Sequence, residues 1–142
     1  MSVYQLIYCS RAKAPMTDAA LLELLDVCRV FNEANHISGI LLYGYHHFIQ
    51  LLEGDKEVVR SLYFNRISKD PRHYKCKILH EEEKTERRFR HWAMAFKRLN
   101  AQEQMYFAGY VDPELESEYG RDLLAPLRIM DAISMVAPDA EI

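Results

Sequence analysis

The segment His47-Phe48-Ile49-Gln50-Leu51-Leu52-Glu53-Gly54 constrains this chain more than any other. Its apolar run reads as a strand buried on both faces, with a glutamine at the centre. A primary amide carries both donors and acceptors into such a core. Left unsatisfied it costs about 1–3 kcal/mol, so Gln50 requires a partner. Two kinds suit it: a buried tyrosine or backbone carbonyl, or the polar edge of a ligand lying against this face of the sheet.

The 142 residues, 49% of them hydrophobic, suffice for one domain with its own core. A formal charge of −3 argues against nucleic acid as a partner, because such binders present a basic patch. The alternation of Glu81-Glu82-Glu83 with Arg87, Arg88 and Arg90 reads as a solvated loop. Cys9, Cys28 and Cys76 are odd in number, widely spaced and without a C-x-x-C pair, as reduced thiols of a cytoplasmic protein would be. Met1 leads directly into a strand pattern with no basic leader, and no apolar run nears the ~20 residues that span a bilayer. His36, His46, His47, His80 and His91 lack metal-ligand spacing, so no metal is expected.

Val3 to Ser10 alternates Tyr4, Leu6 and Tyr8 with Val3, Gln5, Ile7 and Cys9, which predicts a strand. Thr17 is a suitable N-cap for a helix from Asp18 to about Ala34, whose apolar positions Leu21, Leu24, Leu25, Cys28 and Phe31 recur at three and four. Ser38–Tyr45 and His46–Glu53 read as a hairpin with Gly44 near its turn. A second helix starts at Gly54-Asp55 and is ended by Asp70-Pro71. Tyr74–His80 is a fourth strand, and Trp92–Leu99 a fifth with Trp92, Met94 and Phe96 on one face.

The order β-α-β-β-α-β-β predicts an α+β, ferredoxin-like fold: a five-stranded mixed sheet with two helices on one face. The other face, with Ile7, Ile49 and Leu51, also reads as apolar and needs a cover. Helical patterns over 101–109 and 122–137 supply the expected one, so the chain divides into a domain at 1–99 and a helical extension at 100–142. A homo-oligomer contact is the competing cover. Pro126 starts or breaks the last helix.

The topology places strand one beside strand three, bringing Tyr8 within reach of Gln50. Leu24, Cys28 and Asn32 form one stripe of the first helix, and Arg66, Asp70 and His73 gather near the end of the second. Together they outline a pocket between helices and sheet, with amides inside and a basic mouth suited to a phosphate.

Five segments in order resemble the BLUF family of flavin-based blue-light sensors. They are Leu6-Ile7-Tyr8-Cys9-Ser10, the run Asn32 to Tyr43, Phe48 to Gly54, Lys69-Asp70-Pro71-Arg72-His73, and Arg87 to Met94. The resemblance covers roughly residues 2–99. It implies that Tyr8 is the photoactive tyrosine, that Gln50 bridges it to the flavin, and that Asn32 pairs with the ring edge. Leu24, Cys28 and Leu52 join the cofactor-binding set, while Arg66, Asp70 and His73 fall where the family contacts the ribityl-phosphate. Trp92 and Met94 match the pair that relays the switch, and the sequence leaves open which of them faces inward.

Three departures stand out: Phe31 where many relatives carry a polar Asn or His, Cys28 where serine is common, and a Leu62–Arg66 segment one residue longer than the family pattern. The implied activity is a non-enzymatic photoreceptor holding FAD, or FMN, noncovalently. Light drives electron and proton transfer from Tyr8 through Gln50, rearranges the hydrogen bonds and signals through a contact with another protein. An unperturbed phenol is protonated at neutral pH, which makes Tyr8 a donor rather than a base. The rival readings are a small flavin-dependent reductase and a ferredoxin-like ligand-binding module without photochemistry.

Overall fold

The computed structural model describes residues 2–44, 46–89 and 92–102. The chain runs β1 (Val3–Ala12), α1 (Asp18–Ala34), β2 (Ser38–Gly44), β3 (His47–Gly54), α2 (Lys56–Leu62), a π-helical turn (Tyr63–Ile67), β4 (His73–Lys84) and β5 (Ala95–Arg98). The sheet order is β4-β1-β3-β2-β5, antiparallel except for the β2–β5 pair. This is the ferredoxin-like mixed sheet expected from the element order. Beyond Ala101 and Gln102, the expected helices over 101–109 and 122–137, and their packing on the sheet, lie outside the described residues.

Local chemistry fixes the element boundaries. Ala20 N–H donates to Thr17 Oγ1 at 3.1 Å and Val58 N–H to Asp55 at 3.2 Å, so each helix opens on a side-chain cap. α1 closes at Asn35, and His36 then takes the left-handed conformation (φ 56°) that turns the chain into β2.

Side-chain parity splits the core into two layers. Tyr4, Leu6, Tyr8, Leu41, Tyr43, Phe48 and Leu52 pack with Leu21 and Leu25 of α1 and Val59 of α2. On the second face Ile7, Cys9, Ile40, Leu42, Ile49 and Leu51 are buried with Ala95, Phe89 and Leu99.

Three boundaries differ from the sequence reading. The second helix is not uniform: α2 gives way after Leu62 to the π-helical turn Tyr63–Ile67, whose hydrogen-bonded ring is one residue wider than that of an α-helix. β4 extends to Lys84 and absorbs Glu81-Glu82-Glu83, which are strand residues rather than loop. It lies at the sheet edge, where exposed charges block pairing with other chains. β5 begins only at Ala95, so Trp92 and Met94 precede it. They lie on opposite sides of the sheet: Trp92 packs with the second-face core, while Met94 joins Phe96 in the helix-side core. The expected single face for all three is therefore wrong for Trp92.

Among the described residues no helix is long and apolar enough to cross a membrane.

Candidate functional site

Tyr8 and Gln50 are directly opposite in the β1–β3 register. Both are buried, and the Tyr8 hydroxyl donates to Gln50 Oε1 at 2.5 Å. The amide's other end, Nε2, donates to Met94 Sδ at 3.4 Å. Gln50 thus has a strong partner on one side and a weak, soft acceptor on the other. Burial, reinforced by Cys28, Cys76, Tyr63 and Asp70, raises the Tyr8 phenol well above its ordinary value of 10.0. The phenol is fully protonated at neutral pH.

Around this pair a cleft opens between sheet, α1 and the π-helical turn. Leu24, Cys28, Leu41, Phe48, Met16 and Ile67 supply apolar wall, and Asp70, Arg72 and His73 the polar end. Burial pushes the Cys28 thiol up from 9.0, so it is an uncharged wall atom at neutral pH. His73 is held from both sides: Nε2 donates to the Ile67 carbonyl at 2.5 Å, and Nδ1 lies 2.7 Å from Ser10 Oγ. The π-helical turn is what presents that carbonyl. At the mouth the Arg72 guanidinium donates to both carboxylate oxygens of Asp70, at 3.0 and 3.1 Å from Nε. This pairing lowers the Asp70 carboxyl from 3.8.

Of the residues singled out from sequence, Tyr8, Leu24, Cys28, Gln50, Asp70 and His73 meet in this cleft. Asn32 is buried beside it, donating from Nδ2 to the Ala93 carbonyl at 2.8 Å, and lines a neighbouring polar cleft with Ser38 and Arg87. Leu52 is core, with no accessible surface. Arg66 is not among the residues that line this cleft and lies over the Phe31 ring at 4.7 Å. Trp92 is on the far side of the sheet, its ring stacked on Phe89 at 6.0 Å.

Sequence reasoning missed Arg72, Arg29 and Glu53. Arg29 Nε donates to the Met94 carbonyl at 2.9 Å, so α1 grips the segment before β5 at two points, Asn32 and Arg29. Arg72 was visible in the Asp70-Pro71-Arg72-His73 run, where a cation two residues past a carboxylate can fold back on it.

Known proteins give a consistent picture. A family model described as sensors of blue-light using FAD (BLUF) matches residues 3–95. The blue light- and temperature-regulated antirepressor BluF of Escherichia coli (strain K12) is 38% identical over 69 residues, which is 49% of this chain and 17% of that protein. The chain therefore spans only a minor part of this curated relative. Among solved structures, photo-activated BlsA superposes with a TM-score of 0.74 at 31% identity, covering 95% of this chain and 94% of the other. The dark state of BlrB, a BLUF protein, gives 0.70 at 30% identity over 94% and 97%.

Proposed function

The chain belongs to the BLUF family of blue-light sensors using FAD, and from that premise we propose that Tyr8 and Gln50 are its photoactive pair. The observation that carries this reading is the buried line Tyr8 Oη–Gln50–Met94, with a 2.5 Å bond at its head. The donor set suits a flavin: an amide, a phenol and flat apolar walls inside, with a guanidinium at the mouth.

When bound, the flavin supplies blue-light absorption and an excited-state electron acceptor. Tyr8 holds its proton in the dark, and the short bond aims that proton at Gln50 Oε1. Turning the Gln50 amide over exchanges its donor and acceptor ends without placing net charge in the core. At the Met94 end this forfeits only a weak N–H···S bond, so most of the difference between the two arrangements lies at Tyr8. A bistable amide of this kind is what a light-biased equilibrium requires.

Output then passes to another protein through a light-dependent contact, without catalysis by this chain, in the cytoplasm. We keep 1–99 as the sensor and 100–142 as an extension covering the second sheet face, a reading supported by the apolar character of that face. Self-association is its competing cover.

The test is direct: load the purified chain with FAD and record absorption before and after blue light. A reversible red shift that is lost in Tyr8→Phe and Gln50→Leu is expected. A yellow protein that bleaches with NADH makes it a reductase instead, and a chain that cannot be loaded overturns both flavin readings.

A further inference from the structure

Glu53, the last residue but one of β3, lies on the second sheet face with no accessible surface. Its Oε1 accepts from Ser38 Oγ at 3.0 Å and Phe89 N–H at 2.5 Å, and its Oε2 from Arg88 N–H at 2.8 Å. The Arg87 guanidinium closes the group, donating to Ser38 Oγ at 3.0 Å and to the Glu53 carbonyl at 3.2 Å. Two successive backbone N–H groups converging on one anion form the concavity that backbone nests make. Here the anion is a side chain of the strand that carries Gln50. Burying a carboxylate is costly unless it is hydrogen-bonded, and this one is bonded chiefly to the connection between β4 and β5.

That connection carries the residues nearest the switch. Trp92 N–H donates to the Phe89 carbonyl at 3.0 Å and the two rings stack. Gly39 N–H donates to the Trp92 carbonyl at 3.2 Å, and two residues later Met94 Sδ receives Gln50 Nε2. Gln50 and Glu53 therefore project from opposite faces of β3. One holds the Met94 end of the segment, the other the Phe89 end.

We propose that Glu53 is a positioning residue of the photoresponse: its carboxylate anchors Arg88 and Phe89 and thereby keeps Trp92 outside the sheet and Met94 inside against Gln50. The photochemical half of this rests on the sensor reading above; the placement of Trp92 does not.

Trp92 is the chain's single tryptophan, so its fluorescence reports this segment alone. The proteins compared are wild type, Glu53→Gln, Glu53→Ala and the exposed control Glu83→Gln, with far-UV circular dichroism as the check on folding. Acrylamide quenching of Trp92 rises at least about twofold in the Glu53 variants and not in the control, because local opening exposes the ring. In FAD-loaded protein the same variants change the dark-recovery rate by about tenfold, the effect of one charged hydrogen bond on a barrier. That change vanishes in a Met94→Ala background, where Glu53 has no thioether left to position.

Folded Glu53 variants with wild-type quenching overturn the proposal, as does a recovery effect that persists without Met94. If Glu53→Ala fails to fold, Glu53→Gln and Ser38→Ala decide by the same quenching. Loss of any light response in wild type sinks the sensor reading while the Trp92 measurement still judges the anchor.

Discussion

The Tyr8 hydroxyl donates to Gln50 Oε1 over 2.5 Å from directly opposite positions of β1 and β3, with both residues buried. The β1–β4 register shifts on either side of Tyr8, between Ile7 and Tyr8 and again between Cys9 and Arg11. Bulges of this sort re-aim side chains beside functional sites. The β1–β3 side keeps an unbroken register and so holds the pair in alignment.

Replacing Tyr8 by Phe removes the donor and leaves Gln50 Oε1 unpaired in the core. The expected loss is about 1–3 kcal/mol, read as a lower urea midpoint at unchanged m-value. Gln50→Leu removes the acceptor instead and strands the phenol. A Tyr8→Phe protein as stable as wild type would mean that the bond contributes nothing to the fold.

Alkaline pH tests the burial of the same phenol. Burial raises the Tyr8 proton affinity above that of the unfolded chain, and burial likewise raises Tyr63 and Tyr4 from 10.0 to about 12. The unfolded chain therefore releases these protons first. Stability is fully present below pH 10 and declines as pH climbs above it, by up to about 1.4 kcal/mol per pH unit for the fully buried Tyr8. Urea titrations between pH 9 and 11 measure the slope, which should be shallower by up to that amount in Tyr8→Phe. Equal slopes would show that Tyr8 ionises alike in both states.

Much of this site was legible because buried polar groups must be paired. Gln50 in an apolar strand demanded a partner, and topology alone brought Tyr8 to it. The same accounting applied to Glu53, three residues further on, would have found the anchor, since a carboxylate ending an apolar strand faces a steeper demand. What periodicity could not give was where a hydrogen-bond ladder begins. Trp92, Met94 and Phe96 alternate like a strand, yet the carbonyls of Trp92, Ala93 and Met94 go to Gly39, Asn32 and Arg29. Side-chain spacing records size and not backbone pairing, so Trp92 was placed on the wrong face.

At Gly39 β2 leaves no room for a side chain beside β3. A Cβ built there would lie 1.9 Å from the Leu51 carbonyl oxygen, which belongs to the strand itself and cannot swing aside. Gly39→Ala must push β2 off β3 and disturb the N–H that donates to the Trp92 carbonyl. Overpacking of a core costs about 1–3 kcal/mol, and a backbone clash belongs at the upper end. Thermal unfolding measures it; a melting temperature within a degree of wild type would disprove the close approach.

Asp70 and Arg72 make opposite predictions for the mouth of the cleft. The Arg72 guanidinium is the cation that lines it, but in this structure both carboxylate oxygens of Asp70 occupy that guanidinium. A phosphate must compete with Asp70 for the same donors. Asp70→Asn removes the competing charge and should tighten binding of FMN, while Arg72→Ala should weaken it. Each change should be about tenfold, because a charge-assisted hydrogen bond contributes about 1.5–3 kcal/mol before exposure reduces it. Riboflavin, which lacks the phosphate, serves as the reference, and its affinity should move far less in either variant. Flavin fluorescence titrations at low and high salt separate the cases, since an exposed ionic contact is screened as salt rises. If both variants shift FMN and riboflavin equally, Arg72 shapes the mouth without reading the phosphate.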